Sequence, residues 1–355
     1  MPTFSADGQH GVLEAPAASQ ALAGHDAFDG RDEFLALPAA VPRVWLGGAL
    51  AGAAWLGLAA VVKFWPEPED WPLTHETASL FAGIAAVLLV LAFVQHRLGG
   101  IGATLRRAGP WLLVLAALTL AWELATAKLG LLPRPFFAPP QALLEVFLED
   151  YARLAEAVAH SLRLLATGYL LGALAGFLTG VSIGWSSRAG YWVHPVLRLL
   201  GPLPATAWLP IVFFAFPSSA SAATFLVALA TWFPVTVLTW SGVAAVDPAY
   251  YDVARTLGAR ERFLVLKVAV PAALPSVFVG LFMGLGSSFS VLVVAEMLGV
   301  KSGLGWYLQW AQGWAAYASM YAALLVMALL FSGLITLLFR SRDRLLAWQK
   351  GVVKW

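Results

Sequence analysis

Long apolar runs alternate with short polar breaks over most of the chain, and the run length points to membrane-crossing helices. A spanning helix needs about 20 mostly apolar residues. Eight segments meet that requirement: 44–64, 78–95, 110–127, 161–185, 191–215, 221–245, 271–298 and 317–339. With the N-terminus placed inside, the inner segments hold Arg31, Arg43, Arg97, Arg106, Arg107, Arg188, Arg255, Arg260, Arg262, Lys267, Arg340, Arg342, Arg344, Lys350 and Lys354. The outer segments then hold only Lys128, Arg134, Arg153 and Lys301. Basic residues collect on the cytoplasmic side of membrane proteins, so the bias predicts eight spans with both termini cytoplasmic.

The polar segments divide the chain. Residues 1–42 lack the basic start of a secretory signal and read as a polar cytoplasmic tail. Residues 43–100 hold two spans joined by an acidic outer loop, WPEPEDWPLTHET at 65–77. A basic, Gly-bearing linker, HRLGGIGATLRRAG, follows and suggests a domain boundary near residue 100. Residues 101–345 hold the other six spans, and 346–355 form a cytoplasmic C-terminal tail. Residues 139–157 predict an amphipathic helix lying outside the membrane.

Small residues mark where these helices meet. Gly168, Gly172, Gly176, Gly180 and Gly184 repeat every four residues along span four and predict a packing face, within the chain or across a dimer. Span five is interrupted by Gly201, Pro202, Pro204 and Pro210. Proline removes a backbone donor, and such breaks survive at membrane depth where they face protein or a cavity. Span seven carries Gly280, Gly284, Gly286, Ser287, Ser288 and Ser290. These two spans are the candidate walls of a transport path, with Trp208, Phe213, Met283, Ser287 and Ser288 as candidate solute contacts. Glu296, at the outer end of span seven, joins them as an intramembrane acid; the competing expectation is a strut to Arg163 or Lys301.

Composition narrows the chemistry. The chain is 60% hydrophobic and 12% charged, against about a quarter charged in soluble domains. The net charge of +2 gives no footprint for nucleic acid. Cysteine is absent and the six histidines are scattered, so neither a metal site nor a catalytic cluster is expected. No phosphate-binding loop of the G-x-x-x-x-G-K-[ST] type occurs, so the chain is expected to be no enzyme and to bind no cofactor.

The most informative segment is the inner loop DPAYYDVARTLGARERFLVLKVAVPAALPS, 247–276. Asp247 followed by Pro248 predicts a helix start, and Gly258 a left-handed exit. A second amphipathic helix is expected from Arg260 to Val268, with Pro271 opening the next span. Tyr250, Tyr251, Leu257 and Phe263 are the expected anchors of this helix–Gly–helix knob. Its spacing resembles the coupling-loop signature of ATP-binding-cassette importer permeases: Glu-Ala-Ala, three residues, Gly, nine residues, Ile-x-Leu-Pro. Here Asp252, Val253 and Ala254 stand first, then Gly258, then Val268, Val270 and Pro271, with Asp, Val and Val as departures. WELATAKLGLLP (122–133), SLRLLATGYLLGALAG (161–176), the Pro-rich span five and AEMLGVKSGLGWYL (295–308) resemble the nitrate/sulfonate/taurine-type branch.

The resemblance covers about residues 110–350. It implies an all-α polytopic protein of the bacterial inner membrane, with a type I importer permease-like six-helix core plus two extra N-terminal helices. It further implies two ATPase subunits, which bind the ATP and Mg and dock on Asp252, Ala254, Arg255, Gly258, Ala259 and Arg262. A second permease subunit is implied, as a homodimer with a heterodimer left open, together with a periplasmic or lipid-anchored solute-binding protein. The cargo expected is a small anionic solute, with nitrate, bicarbonate, sulfonates, zwitterionic taurine, aromatic acids and thiamine precursors all compatible with the branch. The competing function is a secondary transporter driven by an ion gradient, which wants mid-bilayer charges and repeat symmetry.

Overall fold

Residues 44–348 are described by a computed structural model, and all regular structure among them is helical. The expectations for 1–42 and for 349–355 fall outside the described residues. The helices are α1 Leu46–Phe64, α2 Thr74–Val94, α3 Gly99–Glu123, α4 Pro140–Glu149, α5 Tyr151–Trp185, α6 Ser187–Leu200, α7 Leu209–Ala215 and α8 Ser219–Ala244. Then follow α9 Pro248–Thr256, α10 Glu261–Phe263, α11 Val270–Leu298, α12 Leu304–Gly313 and α13 Tyr317–Leu345. Among the described residues seven helices are long and apolar enough to cross a membrane. A pair bent by 86°, Ser187–Leu200 with Ala205–Ala215, supplies an eighth candidate.

Four expectations change. The linker after α2 is mostly helix: one short turn, Gln95–Arg97, precedes α3, which begins at Gly99. The outer helix expected at 139–157 ends at Glu149, and its second half is the first part of the 35-residue α5. Span five is no single crossing helix, because Gly201–Pro204 breaks it between α6 and α7. The second knob helix is not separate either: a π-turn over Leu264–Ala269 joins α10 to α11, so one helix runs from Glu261 to Leu298. That widened turn carries the chain past Pro271, whose missing N–H would leave a gap in an ordinary helical ladder.

The core is built on α5, α8 and α11. Each glycine of the stripe faces α8. A Cβ on Gly168 would lie 2.6 Å from Val227 Cγ1, on Gly176 2.8 Å from the Trp232 carbonyl, and on Gly180 2.6 Å from Thr239 Cβ. Packing within the chain therefore uses the whole stripe, as expected where close backbone approach replaces a hydrophobic drive.

Helices α1 and α2 pack as a hairpin against α3, with Trp55, Leu58, Phe81, Ala85 and Ala116 in one buried cluster. Where α1 ends, a buried polar knot forms. Lys128 donates to the Val62 carbonyl (2.9 Å), the Trp65 carbonyl (2.9 Å) and Glu67 Oε1 (2.7 Å), and lies 3.8 Å from Glu123. Gln141 Nε2 donates to Glu123 Oε1 at 2.8 Å. The ammonium thus satisfies the last carbonyls of α1, which have no partner inside their own helix. Arg134 pairs with Glu69 and lies over the Trp71 ring. Removing one partner of a buried ion pair costs about 3–5 kcal/mol. Lys128→Met is therefore expected to lower the thermal unfolding temperature in detergent and to release the α1–α2 hairpin to limited proteolysis first.

Candidate functional site: a capped helical knob and a broken-helix cavity

The knob is built as its residues dictate. The Ala249 N–H donates to Asp247 Oδ1 at 2.9 Å, which caps α9. Gly258 takes a φ of +82°, its N–H donates to the Arg255 carbonyl (2.9 Å), and the Ala259 N–H donates to the Ala254 carbonyl (3.0 Å). Those two bonds form the helix-ending motif in which a left-handed residue returns the chain across the last turn. Arg255 lies 3.5 Å from Asp252 and 3.9 Å from Glu261, so one guanidinium ties α9 to α10 across the glycine turn.

The expected anchors divide. Tyr251 faces inward against Trp185, 5.5 Å between ring centroids, beside Val243, Ala269 and Ala273. Its burial pushes the hydroxyl above its ordinary pKa, despite the opposing pull of Arg255. Tyr250, Leu257 and Phe263 instead stand exposed, and so make no anchoring contact within the chain itself. Tyr250, Val253 and Leu257, at spacing i, i+3 and i+7, form one apolar stripe that is 65%, 62% and 83% exposed. The sequence reading passed over Val253 as a contact, although the same helical period would have found it. Asp252, Arg255 and Arg262 are exposed beside the stripe, and Ala254 and Ala259 are half-buried beneath it.

The second feature is a cavity of about 670 Å³ where α6 gives way to α7, closed by α8 and α11. Pro204, Thr206, Trp208, Trp232, Phe233, Met283, Ser287 and Ser290 are among its lining residues. Of the residues expected as solute contacts, Trp208, Met283 and Ser287 line this cavity. Phe213, Ser288 and Glu296 do not line it. Phe213 packs against Gly299, and the hydroxyl of Ser288, fully buried, bonds its own helix at the Leu285 carbonyl (2.9 Å). Thr206, Trp232, Phe233 and Ser290 were missed: α8 was not read as a wall, and the 86° break sets Thr206 in the same space as the α8 and α11 side chains.

Glu296 is a structural group in this fold, and its partner is neither Arg163 nor Lys301. Ser161 donates to its carboxylate at 2.7 Å, and the Gly305 N–H donates to Oε2 at 2.8 Å. The Leu304 N–H donates in turn to Ser161 Oγ at 2.8 Å. The acid thus holds the start of α12, where a negative group is favoured, and Gly303 (φ +97°) leaves it room. Arg163 is exposed and lines neither the cavity nor this junction.

Residues 168–349, which hold the glycine stripe, the broken span and the knob, match the family of binding-protein-dependent transport system inner membrane components. The chain belongs to this family. It is a multi-pass inner-membrane permease subunit of an ATP-binding-cassette importer, and the gradient-driven alternative is not favoured. The nitrate import permease protein NrtB of Leptolyngbya laminosa is 31% identical over 248 residues, covering 68% of this chain and 87% of the relative. The putative aliphatic sulfonates transport permease protein SsuC of Bacillus subtilis is 36% identical over 141 residues, 40% of this chain and 51% of that one. Among solved structures, an inward-facing MetNI methionine ABC transporter chain matches at 15% identity with a TM-score of 0.44, covering 57% of this chain and 98% of that one.

Proposed function

We propose that this permease subunit moves a small anionic solute inward and takes its power from a separate ATPase docked on α9. The observation that carries the reading is the exposed Tyr250–Val253–Leu257 stripe on a helix rigidly capped at both ends. An apolar stripe on a short rigid helix suits a groove on a partner, which reads it as successive anchors. Asp252, Arg255 and Arg262 flank the stripe and set the register of docking, while Gly258, Ala254 and Ala259 hold the turn. ATP and Mg reside on the partner, and this chain binds neither.

The same reading places the knob and both termini in the cytoplasm, in keeping with the bias of basic residues. Two copies of this chain pair, and a solute-binding protein delivers cargo at the opposite face. Nitrate and aliphatic sulfonates, named for the two relatives, are anions at neutral pH and supply the cargo class. Residues 101–345 form the permease core, and the α1–α2 hairpin is an addition held on α3. Purification of the tagged chain from its native host in mild detergent tests the reading. The expected result is an ATPase at equal stoichiometry, with a binding protein retained when the solute is supplied. A chain recovered without an ATPase would sink the proposal.

A further inference from the structure

Among the described residues no ionisable side chain lines the 670 Å³ cavity. A second hollow of about 310 Å³ adjoins it, lined by His194, Leu197, Arg198, Phe233, Val237 and Trp240. Phe233 belongs to both walls, and a Cβ on Gly201 would lie 2.9 Å from its ring, so the break at Gly201 is what lets the ring sit between the two spaces. The second hollow lies toward the knob end of the bundle: Trp240 is about one turn from the end of α8, which leads into α9.

His194 and Arg198 are four residues apart on α6 and share one face. The His194 ring rests on Trp240, 4.4 Å between centroids. Among the described residues no carboxylate forms an ion pair with Arg198, and no acidic side chain lines either hollow. A guanidinium is always charged and presents a planar fork that matches an oxyanion.

We propose that this hollow is an anion exit site, where Arg198, with His194 beside it, receives the oxyanion of the solute after it passes Phe233. The inference rests on the proposed transport of an anion and adds where that anion finds its first counter-charge. An anion in the cavity meets the hydroxyls of Thr206 and Ser287 but no counter-charge; the half-open hollow beyond offers one cation, enough to accept the group and weak enough to release it. The same oxyanion chemistry could come from a lipid headgroup, since α6 is amphipathic and Arg198 is exposed.

The test uses the whole complex, with its ATPase and binding protein, in phosphatidylcholine liposomes without and with anionic lipid. ATP-driven uptake is measured for nitrate, bicarbonate and methanesulfonate. For the anion transported, Arg198→Gln is expected to reduce uptake about tenfold, the loss of one charge-assisted contact. Arg198→Lys keeps most of the uptake, and Val237→Phe, which fills the hollow without touching the charge, reduces it. ATP hydrolysis stimulated by the binding protein stays within about twofold in each. Uptake by Arg198→Gln equal to wild type, or a loss seen only with anionic lipid present, overturns the exit site. Should Arg198→Gln fail to assemble, Val237→Phe carries the test, and its wild-type uptake overturns it equally. Wild-type complex that hydrolyses ATP but transports none of these anions overturns the anion reading itself.

Discussion

Replacing Gly172 by leucine is expected to leave no folded, membrane-integrated permease. A Cβ at that position would lie against the Ala228 carbonyl oxygen and 2.8 Å from Thr231 Cβ. The obstacle is backbone, which cannot turn aside as a flexible side chain can. Overpacking of a close interface costs about 1–3 kcal/mol when neighbours can yield, and more when they cannot. Here α5 and α8 would have to separate along their length, because Gly168, Gly176, Gly180 and Gly184 hold the same approach. No hydrophobic drive in lipid brings the helices back together. Gly172→Ala is expected to fold with a lowered unfolding temperature. Gly57→Leu and Gly83→Leu, at positions where a Cβ meets nothing within 4 Å, are expected to behave as wild type. Fluorescence-detected size-exclusion of tagged chains in mild detergent checks the series. A monodisperse Gly172→Leu protein of wild-type yield would show that the α5–α8 contact does not govern folding.

The second large effect falls on coupling. Val253→Asp combined with Leu257→Asp is expected to abolish ATPase association while leaving the permease folded. Both side chains are largely exposed, so the fold loses little. Central anchors of a protein interface are worth about 2 kcal/mol or more each when removed. Two therefore weaken binding roughly a thousandfold. Gly258→Val acts by another route: its φ of +82° costs a branched residue about 1–2 kcal/mol or forces the turn to rearrange, which breaks the Arg255 bridge to Glu261. Binding of purified ATPase to the permease in nanodiscs reads both variants. Unchanged affinity in the double variant would remove α9 as the docking element.

The eight apolar runs, the side on which basic residues gather and the knob between 247 and 276 were all legible in the chain itself, because each rests on local chemistry. Bilayer thickness sets run length, and Asp247, Pro248 and Gly258 specify a start and a stop without reference to distant residues. The glycine period also announced a packing face, and the loop spacing carried the family resemblance. Where these local signals end, the reading went astray. Glu296 was offered to the solute path because an intramembrane acid is costly and so expected to act; its cost is met by Ser161, 135 residues away, and by the Gly305 N–H. Lys128 looked like an ordinary outer-loop cation, whereas it is buried against the end of α1, more than 60 residues distant. Pro271 signalled a fresh helix, and a π-turn carried one helix through it.

The sequence by itself determined that this chain crosses the membrane many times, which residues could approach closely, and that a capped knob faces one side. Those properties depend on periods and spacings of a few residues. Only the tertiary structure decided that the glycine stripe meets α8 within the same chain, which side chains turn toward the cavity at the broken span, and what satisfies each buried charge. The reason is that partners in an apolar medium are chosen by three-dimensional proximity. A bend of 86° and contacts spanning 60 to 140 residues leave no periodic trace along the chain.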